Sequence, residues 1–317
     1  MKVILANDGL AQSGIELLEK EGFKVLTTKV AQEQLPNFIN DNQVQALLVR
    51  SATQVDKSLI DACPNLELVG RGGVGMDNID IPYAKSKGIH VINTPAASSA
   101  SVAELVFAHL FSGARFLHDS NRNMPLEGDS KFKQLKKSYT HGMELRGKTL
   151  GIIGFGRIGQ ATARIGLAMG MKVLYADHNV EDCTLSVSFF DGQSVTFSMK
   201  ANTFEEVLRA SDFITIHVPA QNGYVLGQKE FEMMKTGAGV VNAARGGVLD
   251  EVALIDALEK EKLSFAGLDV FESEPTPEIK VLMHPKISLT PHIGASTKAA
   301  QDRIGLELAN QVISLLG

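Results

Sequence analysis

The sequence predicts an α/β fold with two doubly wound parallel-sheet domains. Its 317 residues correspond to two domains at about 150 residues each. Short apolar runs alternate with helical patterns from Val3 to Asn93, and a second alternation of the same kind begins near Gly147. Strands that alternate with helices form a parallel sheet that is covered on both faces, which is the basis of this prediction.

The first domain is expected to be the smaller one and flavodoxin-like. Its strands are predicted from apolar runs at residues 3–6, 24–26, 45–49, 66–69 and 88–93, and a helical pattern covers residues 13–21. A helical pattern also runs from Ser296 to the end of the chain, and we expect this helix to return to the first domain. The predicted domain is therefore discontinuous, with residues 1–97 plus 291–317.

The second domain is expected to begin with a long helix over residues 98–118. Ser101 and Glu104 have the spacing of a capping box near its start. Nearly every position from 105 to 117 is apolar, so we expect burial on all sides, by packing between domains or at a subunit interface. The polar, lysine-rich residues 121–139 predict a solvated loop or arm.

A glycine-rich turn between a strand and a helix identifies the second domain, residues 98–290. Three glycines follow an apolar strand with the spacing G-x-G-x-x-G: Gly154, Gly156 and Gly159. Asp177 ends the next predicted strand, 23 residues after the first glycine. In dinucleotide-binding domains such glycines admit a pyrophosphate at a helix N-terminus, and the acid binds the ribose hydroxyls. This order of strand, glycine-rich turn, helix, strand and acid predicts a Rossmann-type domain inserted into the first domain. NAD is the expected cofactor, because the negative charge of Asp177 would repel the extra phosphate of NADP.

A β-hairpin is predicted after this strand. Apolar residues alternate over residues 186–190 and 194–198, on either side of Asp191-Gly192. We expect the hairpin to be a small addition beside the cofactor domain.

Composition excludes several classes of function. The net charge of −5 and the absence of Trp argue against nucleic-acid or anionic-membrane binding. The two cysteines, Cys63 and Cys183, are expected to be reduced thiols, and no histidine cluster has metal-ligand spacing, so no metal is expected. We expect no signal peptide and no membrane span, and therefore a cytoplasmic protein.

Three motifs near the end of the chain carry residues that could do chemistry. Arg245 follows a buried strand, where its planar guanidinium could hold a carboxylate or keto acid. Asp269 and Glu274 follow another strand, and His292 follows a third. An imidazole beside a carboxylate can move the proton of a hydroxyl while a nicotinamide takes the hydride. These residues predict a dehydrogenase site.

In these motifs the chain resembles the D-isomer-specific 2-hydroxyacid dehydrogenases over essentially its whole length. The resemblance is carried by residues 154–159, 242–247, 268–275 and 291–295, in the order of the family. It implies that Arg245 binds the substrate carboxylate and C2 oxygen, and that Glu274 pairs with His292, which accepts the hydroxyl proton. It also implies that Asp269 binds the nicotinamide carboxamide and that the backbone of Gly73, Val74 and Gly75 holds the substrate carboxylate. The residues expected to bind the cofactor are Val74, Gly154, Gly156, Arg157, Ile158, Gly159, Asp177, His217, Val218, Pro219, Ala243, Ala244, Arg245, Asp269, His292, Gly294 and Ala295.

Further similarity points to the members that act on 3-phosphoglycerate. It is carried by residues 49–53, 70–78 and 292–298. A phosphorylated substrate needs extra cationic and hydroxyl donors, which Arg50 and Ser51 could supply. By the same resemblance, Lys137 is the candidate for a lysine that reaches the phosphate site of a partner subunit. We therefore expect oxidation of 3-phosphoglycerate to 3-phosphohydroxypyruvate, the first step of serine biosynthesis, by a homodimer joined through the cofactor domains.

Departures from the pattern leave alternatives open. Ser98 stands where these members often have a substrate-contacting asparagine, and no regulatory domain follows Gly317, so feedback by serine is not expected. One alternative is a glyoxylate or hydroxypyruvate reductase of the same family. Another is a corepressor-like protein that senses NAD on the same fold without turning over a substrate.

Overall fold

The computed structural model describes residues 1–317 and divides into two compact units. One unit consists of Met1–Ser101 and Ala295–Gly317, and the other of Val102–Gly294. The domain boundaries predicted from the sequence lie within four residues of these positions and stay a prediction.

The first unit contains a parallel sheet of five strands in the order β2-β1-β3-β4-β5. Its strands are β1 (Val3–Ala6), β2 (Lys24–Leu26), β3 (Val44–Val49), β4 (Leu68–Arg71) and β5 (His90–Asn93). Its helices are α1 (Gln12–Lys20), α2 (Leu35–Asp41), α3 (Lys57–Ala62) and α4 (Ile81–Ser86), with a 3-10 turn at Gln32–Gln34. This strand order is that of flavodoxin-like folds, as predicted.

The C-terminal helix, Lys298–Leu316, packs against α1 in this unit. Alternation along β1 sends Ile4 to the face covered by the C-terminal helix and Leu5 to the opposite face. A Cβ atom on Gly14 of α1 would come within 2.6 Å of the carbonyl oxygen of Gly305, so glycine allows the close approach of the two helices. The sheet is therefore buried on both faces.

The second unit contains a parallel sheet of six strands in the order β13-β12-β11-β10-β6-β7. The strands from β6 onward are β6 (Thr149–Ile153), β7 (Lys172–Ala176), β8 (Cys183–Ser188), β9 (Ser194–Met199), β10 (Phe213–Ile216), β11 (Ala238–Asn242), β12 (Leu263–Leu268) and β13 (Ile287–Leu289). The helices are α5 (Ser99–Ala114), which begins just before this unit, α6 (Leu117–Glu127), α7 (Phe132–Ser138), α8 (Arg157–Ala168), α9 (Phe204–Ala210), α10 (Gln228–Met233), α11 (Glu251–Glu259) and α12 (Ile279–Met283).

The strand order reverses between β6 and β10, which is the ligand-binding switch point of doubly wound sheets. An isolated parallel bridge joins Tyr175 of β7 to Ala201, beyond the last strand of the sheet. With this bridge as its third strand, the first six strands of the unit have the Rossmann order 3-2-1-4-5-6, and β13 adds a seventh beyond β12. The predicted fold class is confirmed in both units.

The predicted hairpin is confirmed as the antiparallel pair of β8 and β9. Leu185, Val187 and Met199 are buried, and the backbone oxygen of Ser186 accepts a hydrogen bond of 3.1 Å from Nε of Arg164 in α8. The hairpin is therefore packed on α8, the helix that follows the glycine-rich turn.

The prediction of a single helix over residues 98–118 is wrong. The helix α5 ends at Ala114, Phe116 has a left-handed φ of 56°, and α6 follows. The amide of Met143 donates to the Ala114 carbonyl at 2.8 Å, so a distant segment takes the acceptor that would have continued the helix.

The capping box predicted at the start of this helix is also wrong. Ser101 lies inside α5 and its hydroxyl donates to Thr297 Oγ1 at 3.1 Å, so it does not cap the helix. Within the single chain Ala108 and Phe111 of α5 are exposed, so the predicted burial on all sides would need a subunit interface to cover them. The lysine-rich residues 121–139 are mostly exposed, as predicted, but they form the helices α6 and α7 instead of a loop, and the hydroxyl of Tyr139 donates to Asp119 in α6.

No single helix is long and apolar enough to cross a membrane, and only α5 and α6 taken together, bent by 56°, meet that criterion of length and composition. Cys63 is buried, Cys183 is half-buried, and both are free thiols.

Candidate active site

The glycine-rich turn after β6 has three glycines with three different surroundings. Gly154 has a φ of +89°, and a Cβ atom there would lie 2.5 Å from the carbonyl oxygen of His217. A Cβ on Gly159 would lie 2.2 Å from the Gly154 carbonyl oxygen, whereas one on Gly156 would meet nothing within 4 Å. The turn thus needs the first and third glycines for its own packing, and the second leaves open space where a pyrophosphate could approach the backbone.

Asp177 is held against this turn. Its Oδ2 accepts the amide of Phe155 at 2.5 Å, and its Oδ1 accepts the amides of Asn179 and Val180 at 2.7 and 3.0 Å. A carboxylate has about four acceptor positions. Three are occupied, which leaves about one for a ligand hydroxyl.

His217 ends β10 beside the glycine turn. Its Nε2 lies 3.1 Å from Thr215 Oγ1 and 3.3 Å from Thr162 Oγ1, whereas its Nδ1 is buried without a hydrogen-bond partner. Burial lowers the pKa of His217 to about 3, so the ring is neutral. Val218 is half-buried and Pro219 is exposed.

Arg245 lies in the loop directly after β11. Asn242, which is 2% exposed, braces this loop: its Nδ2 donates to the Arg245 carbonyl at 2.9 Å, and its Oδ1 accepts the Ala244 amide at 3.0 Å. Arg245 Nη1 donates to the Ala244 carbonyl at 2.6 Å. A Cβ on Gly246 would overlap the carbonyl of Phe271, so glycine brings this loop next to the loop that follows β12.

Glu274 and His292 are hydrogen-bonded, with 2.8 Å between Glu274 Oε2 and His292 Nδ1. The side chains are 37% and 42% exposed. A carboxylate only accepts hydrogen bonds, so Nδ1 carries the ring hydrogen. The other ring nitrogen, Nε2, is then the atom that can take a proton from a ligand hydroxyl.

Asp269 holds the turn that carries this histidine. Its carboxylate is 1% exposed and accepts Thr290 Oγ1 at 2.6 Å and the amides of Ile293 and Gly294 at 2.8 Å each. Its carbonyl accepts the His292 amide at 2.8 Å. Burial raises the pKa of Asp269, and the three donors oppose that rise. His292 has a left-handed φ of 53°, a conformation that these bonds stabilise.

In the first unit, Asp8 fixes the loop after β3. Its Oδ2 accepts the amides of Arg50 and Thr53 at 2.7 and 3.1 Å, and its Oδ1 accepts the Thr53 hydroxyl at 2.8 Å. Asn78 donates to the Arg50 carbonyl at 2.8 Å. The Arg50 guanidinium itself makes no hydrogen bond or salt bridge within the chain, and Ser51 beside it is exposed. The backbone is therefore fixed while the cation is available.

The predicted carboxylate-binding backbone lies in the loop after β4. Asn93 donates to the Val74 carbonyl at 2.9 Å, and the Gly73 carbonyl accepts the Thr94 amide at 3.2 Å. The amides of Val74 and Gly75 donate to no acceptor within the chain. Two consecutive free N–H groups form a concavity suited to an anion.

The remaining predicted residues make no such hydrogen bonds with other residues of the predicted site. Lys137 is exposed in the last turn of α7, Arg157 and Ile158 begin α8, and the Ala295 carbonyl accepts Gln301. Ser98 is buried, at 2% exposure. No group of three His, Cys, Asp or Glu side chains could hold a metal ion.

Sequence reasoning missed the residues that brace the site, namely Asp8, Asn78, Asn242 and Thr290. Asp8 and Thr290 follow β1 and β13 at their carboxyl ends, which is the signal that identified Arg50 and Asp269. This signal could have found them. Asn242 belongs to the predicted motif of residues 242–247, but its role in bracing the loop depends on the conformation of that loop.

A Rossmann sheet with this glycine turn, and a carboxylate–histidine pair at the carboxyl ends of its strands, define an NAD-dependent dehydrogenase. The family model of the NAD-binding domain of D-isomer-specific 2-hydroxyacid dehydrogenases matches residues 107–294. The chain belongs to this family.

Relatives with different substrates resemble the chain. The hydroxypyruvate reductase of Thermotoga maritima is 40% identical, with 98% of this chain and 97% of the relative covered. The D-3-phosphoglycerate dehydrogenase of Methanocaldococcus jannaschii is 38% identical, but the chain spans 58% of its length. The crystal structure of an Aquifex aeolicus D-lactate dehydrogenase complexed with NAD and lactic acid superimposes with a TM-score of 0.74, at 30% identity, over 98% of this chain and 94% of that one.

Proposed function

We propose that the chain oxidises 3-phosphoglycerate at C2 to 3-phosphohydroxypyruvate with NAD, the first step of serine biosynthesis. The observation that carries this proposal is the Arg50 guanidinium, which has no partner in the chain although its backbone is fixed by Asp8 and Asn78. A fixed backbone with an available cation and a neighbouring hydroxyl, Ser51, suits a phosphate. The cytoplasmic location expected from the sequence stays a prediction.

Each residue of the second unit has a proposed part in the reaction. His292 Nε2 accepts the proton of the C2 hydroxyl, and Glu274 stabilises the imidazolium that results. Arg245 holds the C2 oxygen and the substrate carboxylate. In the first unit, the free amides of Val74 and Gly75 are suited to an anion. The NAD nicotinamide takes the C2 hydride.

The cofactor would be held by residues of the same unit. Gly156 leaves room for the pyrophosphate, and Asp177 has an acceptor position for a ribose hydroxyl. Asp269 would accept the nicotinamide carboxamide. Exclusion of NADP rests on the negative charge of Asp177.

A second candidate is the reduction of hydroxypyruvate or glyoxylate with NADH. It is favoured by the 40% identity to a hydroxypyruvate reductase over nearly the full length of both chains. This reaction would use the same Arg245, Glu274 and His292 but has no phosphate for Arg50 to bind.

We propose a homodimer joined through the cofactor units. The exposed residues Glu104, Ala108 and Phe111 lie on one face of α5, at helical spacing. On this face of an otherwise buried helix, the exposed side chains of Ala108 and Phe111 favour a subunit interface. Lys137 is proposed to reach the phosphate site of the partner subunit.

The substrate is tested by following NADH at 340 nm with 3-phosphoglycerate, D-glycerate and D-lactate in the oxidative direction and with phosphohydroxypyruvate, hydroxypyruvate and glyoxylate in reverse. Preference for the phosphorylated pair supports the proposal. Preference for hydroxypyruvate or glyoxylate establishes the second candidate. NADH binding without turnover of any acid would instead favour a corepressor-like protein.

The role of Arg50 is tested with Arg50→Gln, with Arg209→Gln on the exposed end of α9 as the matched control. Loss of a charge-assisted hydrogen bond should raise KM for 3-phosphoglycerate about tenfold or more, with KM for D-glycerate nearly unchanged. An equal rise for both acids would contradict the phosphate role.

A further inference from the structure

Tyr175 packs against the glycine-rich turn of the second unit, two residues before Asp177. Its side chain is fully buried, and its ring stacks on that of Phe155, with 3.7 Å between the ring centroids and 13° between the ring planes. Phe155 stands between Gly154 and Gly156 of the turn. Tyr175 has no part in the proposed reaction, yet it supports the turn that is proposed to face the pyrophosphate.

The hydroxyl of Tyr175 donates to the backbone carbonyl of Glu181 at 2.6 Å. A carbonyl only accepts, and burial raises the pKa of Tyr175, so the hydroxyl keeps the hydrogen that it donates. The sulfur of Cys183 lies farther from the hydroxyl, at 4.0 Å, and its thiol can donate to the phenol oxygen. The direction of the bond to Glu181 is therefore fixed.

This bond closes the loop of residues 178–182, which follows Asp177. Within the loop, the amides of Asn179 and Val180 donate to Asp177 Oδ1 at 2.7 and 3.0 Å. Val180 is half-buried against the apolar core that contains Tyr175, whereas the other residues of the loop are exposed. The loop is thus held at its start by Asp177 and near its end by the hydroxyl of Tyr175.

Asp177 is held from two sides, and Tyr175 supports both. On one side, Oδ2 of Asp177 accepts the amide of Phe155, the residue on which the Tyr175 ring stacks. On the other side, Oδ1 accepts the amides of Asn179 and Val180, in the loop that the tyrosine hydroxyl closes. Three donors fix the plane of the carboxylate, so the acceptor position that is left for a ligand hydroxyl has a fixed direction.

We propose that Tyr175 is a positioning residue for cofactor binding: through Phe155 and the loop of residues 178–182 it orients Asp177 toward the adenosine ribose of NAD. This inference rests on the proposed function, in which Asp177 accepts a ribose hydroxyl. The adenosine ribose takes no part in hydride transfer. Tyr175 should therefore set the affinity for the cofactor and leave kcat nearly unchanged.

The affinity is measured by NADH fluorescence in the absence of any acid. Tyr175→Phe removes the hydroxyl and keeps the ring that stacks on Phe155. We expect its Kd for NADH to rise about fivefold, as for the loss of one hydrogen bond. Equal affinity in Tyr175→Phe and in the parent protein would overturn the proposal.

The matched control is Tyr139→Phe. It removes a tyrosine hydroxyl of the same unit that donates to Asp119 in α6. Its Kd for NADH should stay within about twofold of the parent value. A rise equal to that of Tyr175→Phe would overturn the proposal, because any lost tyrosine hydroxyl would then have the same effect.

A double-mutant cycle tests whether Tyr175 acts through Asp177. Asp177→Ala removes the proposed ribose acceptor, and we expect it to weaken NADH binding about tenfold or more. In that background Tyr175→Phe should add less than about twofold, because the group that it positions is gone. A loss of about fivefold in both backgrounds would overturn the proposal, since the two residues would then act independently.

A measurement without any ligand reports on the loop itself. Hydrogen exchange at the amides of Asn179 and Val180, followed by NMR, should be about fivefold faster in Tyr175→Phe, because the loop opens more often. Exchange within α8 should be unchanged, which shows that the unit as a whole is still folded. Unchanged exchange at the two loop amides would overturn the proposal.

Loss of the ribose contact and loss of the positioning effect give different results. If Asp177→Ala binds NADH as the parent protein does, the proposed role of Asp177 fails and the role of Tyr175 fails with it. If Asp177→Ala loses affinity but Tyr175→Phe does not, the proposed role of Asp177 stands and only the role of Tyr175 is overturned. Neither result depends on which acid is turned over.

Discussion

Glu274 uses both carboxylate oxygens to connect two loops of the site. Its Oε2 lies 2.8 Å from His292 Nδ1, and its Oε1 accepts the amide of Phe271 at 3.1 Å. The carboxylate is therefore fixed by its own loop before it meets the histidine. This arrangement directs His292 Nε2, the bare nitrogen, to a ligand.

Glu274→Gln should abolish most of the activity with little effect on folding. The amide would place a donor beside Nδ1 and favour the Nε2–H tautomer, which cannot accept a proton. We expect kcat to fall about 100-fold or more while the Kd of NADH is unchanged. Glu272→Gln is the control, because Glu272 contacts Tyr224 and the Glu251 amide instead of the histidine. A similar loss in both variants would contradict the assignment.

Replacement of the glycines by alanine should separate ligand binding from folding. Gly156→Ala adds a methyl group into open space, so the melting temperature should hold while NADH binding weakens about tenfold or more. Gly159→Ala places its Cβ 2.2 Å from the Gly154 carbonyl oxygen and should lower the melting temperature. Thermal melts with and without NADH check both, and unchanged NADH affinity in Gly156→Ala would contradict a pyrophosphate at this position.

Stability should fall in acid in part because of His109. Its pKa is lowered from 6.5 to about 4 in the folded state, so the unfolded chain takes up a proton first as the pH falls. The stabilisation is fully present above about pH 6.5 and is lost as the pH falls toward 4, by up to about 1.4 kcal/mol per pH unit. Urea unfolding between pH 4 and 7 should give a shallower dependence for His109→Gln. Parallel curves would show that His109 is not neutral in the folded protein.

The exposed face of α5 should control oligomeric state. Phe111 is 41% exposed, and Phe111→Glu would place a charge in the proposed interface, so light scattering should report a monomer. Val252→Glu, at a position that is 79% exposed on α11, should leave the dimer intact. A parent protein that is already monomeric would refute the interface.

Local patterns predicted the glycine turn, the acid after β7 and the strand-end positions of Arg245 and His292, because each depends on a few consecutive residues. They failed at the end of α5. Apolar residues continue past Ala114, and the helix stops because Met143, nearly 30 residues later, takes its carbonyl. Nothing local marks Phe116 as left-handed.

The contacts that connect Asp269 through Thr290 to His109 could not be predicted for a similar reason. His109 is a single histidine in an apolar helix, and its partners Ser288 and Thr290 follow it by 179 and 181 residues. An isolated histidine in such a pattern is more often a structural residue. Only the folded arrangement shows that its two nitrogens have different partners.

The C-terminal helix has a consequence for the order of synthesis. One core of the first unit combines Ile4 and Leu48 of the earliest strands with Ile304, Leu308 and Val312 of that helix. Residues 102–294, in contrast, are continuous in sequence. On the ribosome, the inserted unit can finish folding while the first unit still lacks the C-terminal helix, which covers one face of its sheet together with α1. Part of that apolar face stays uncovered until a segment almost 200 residues later has been translated.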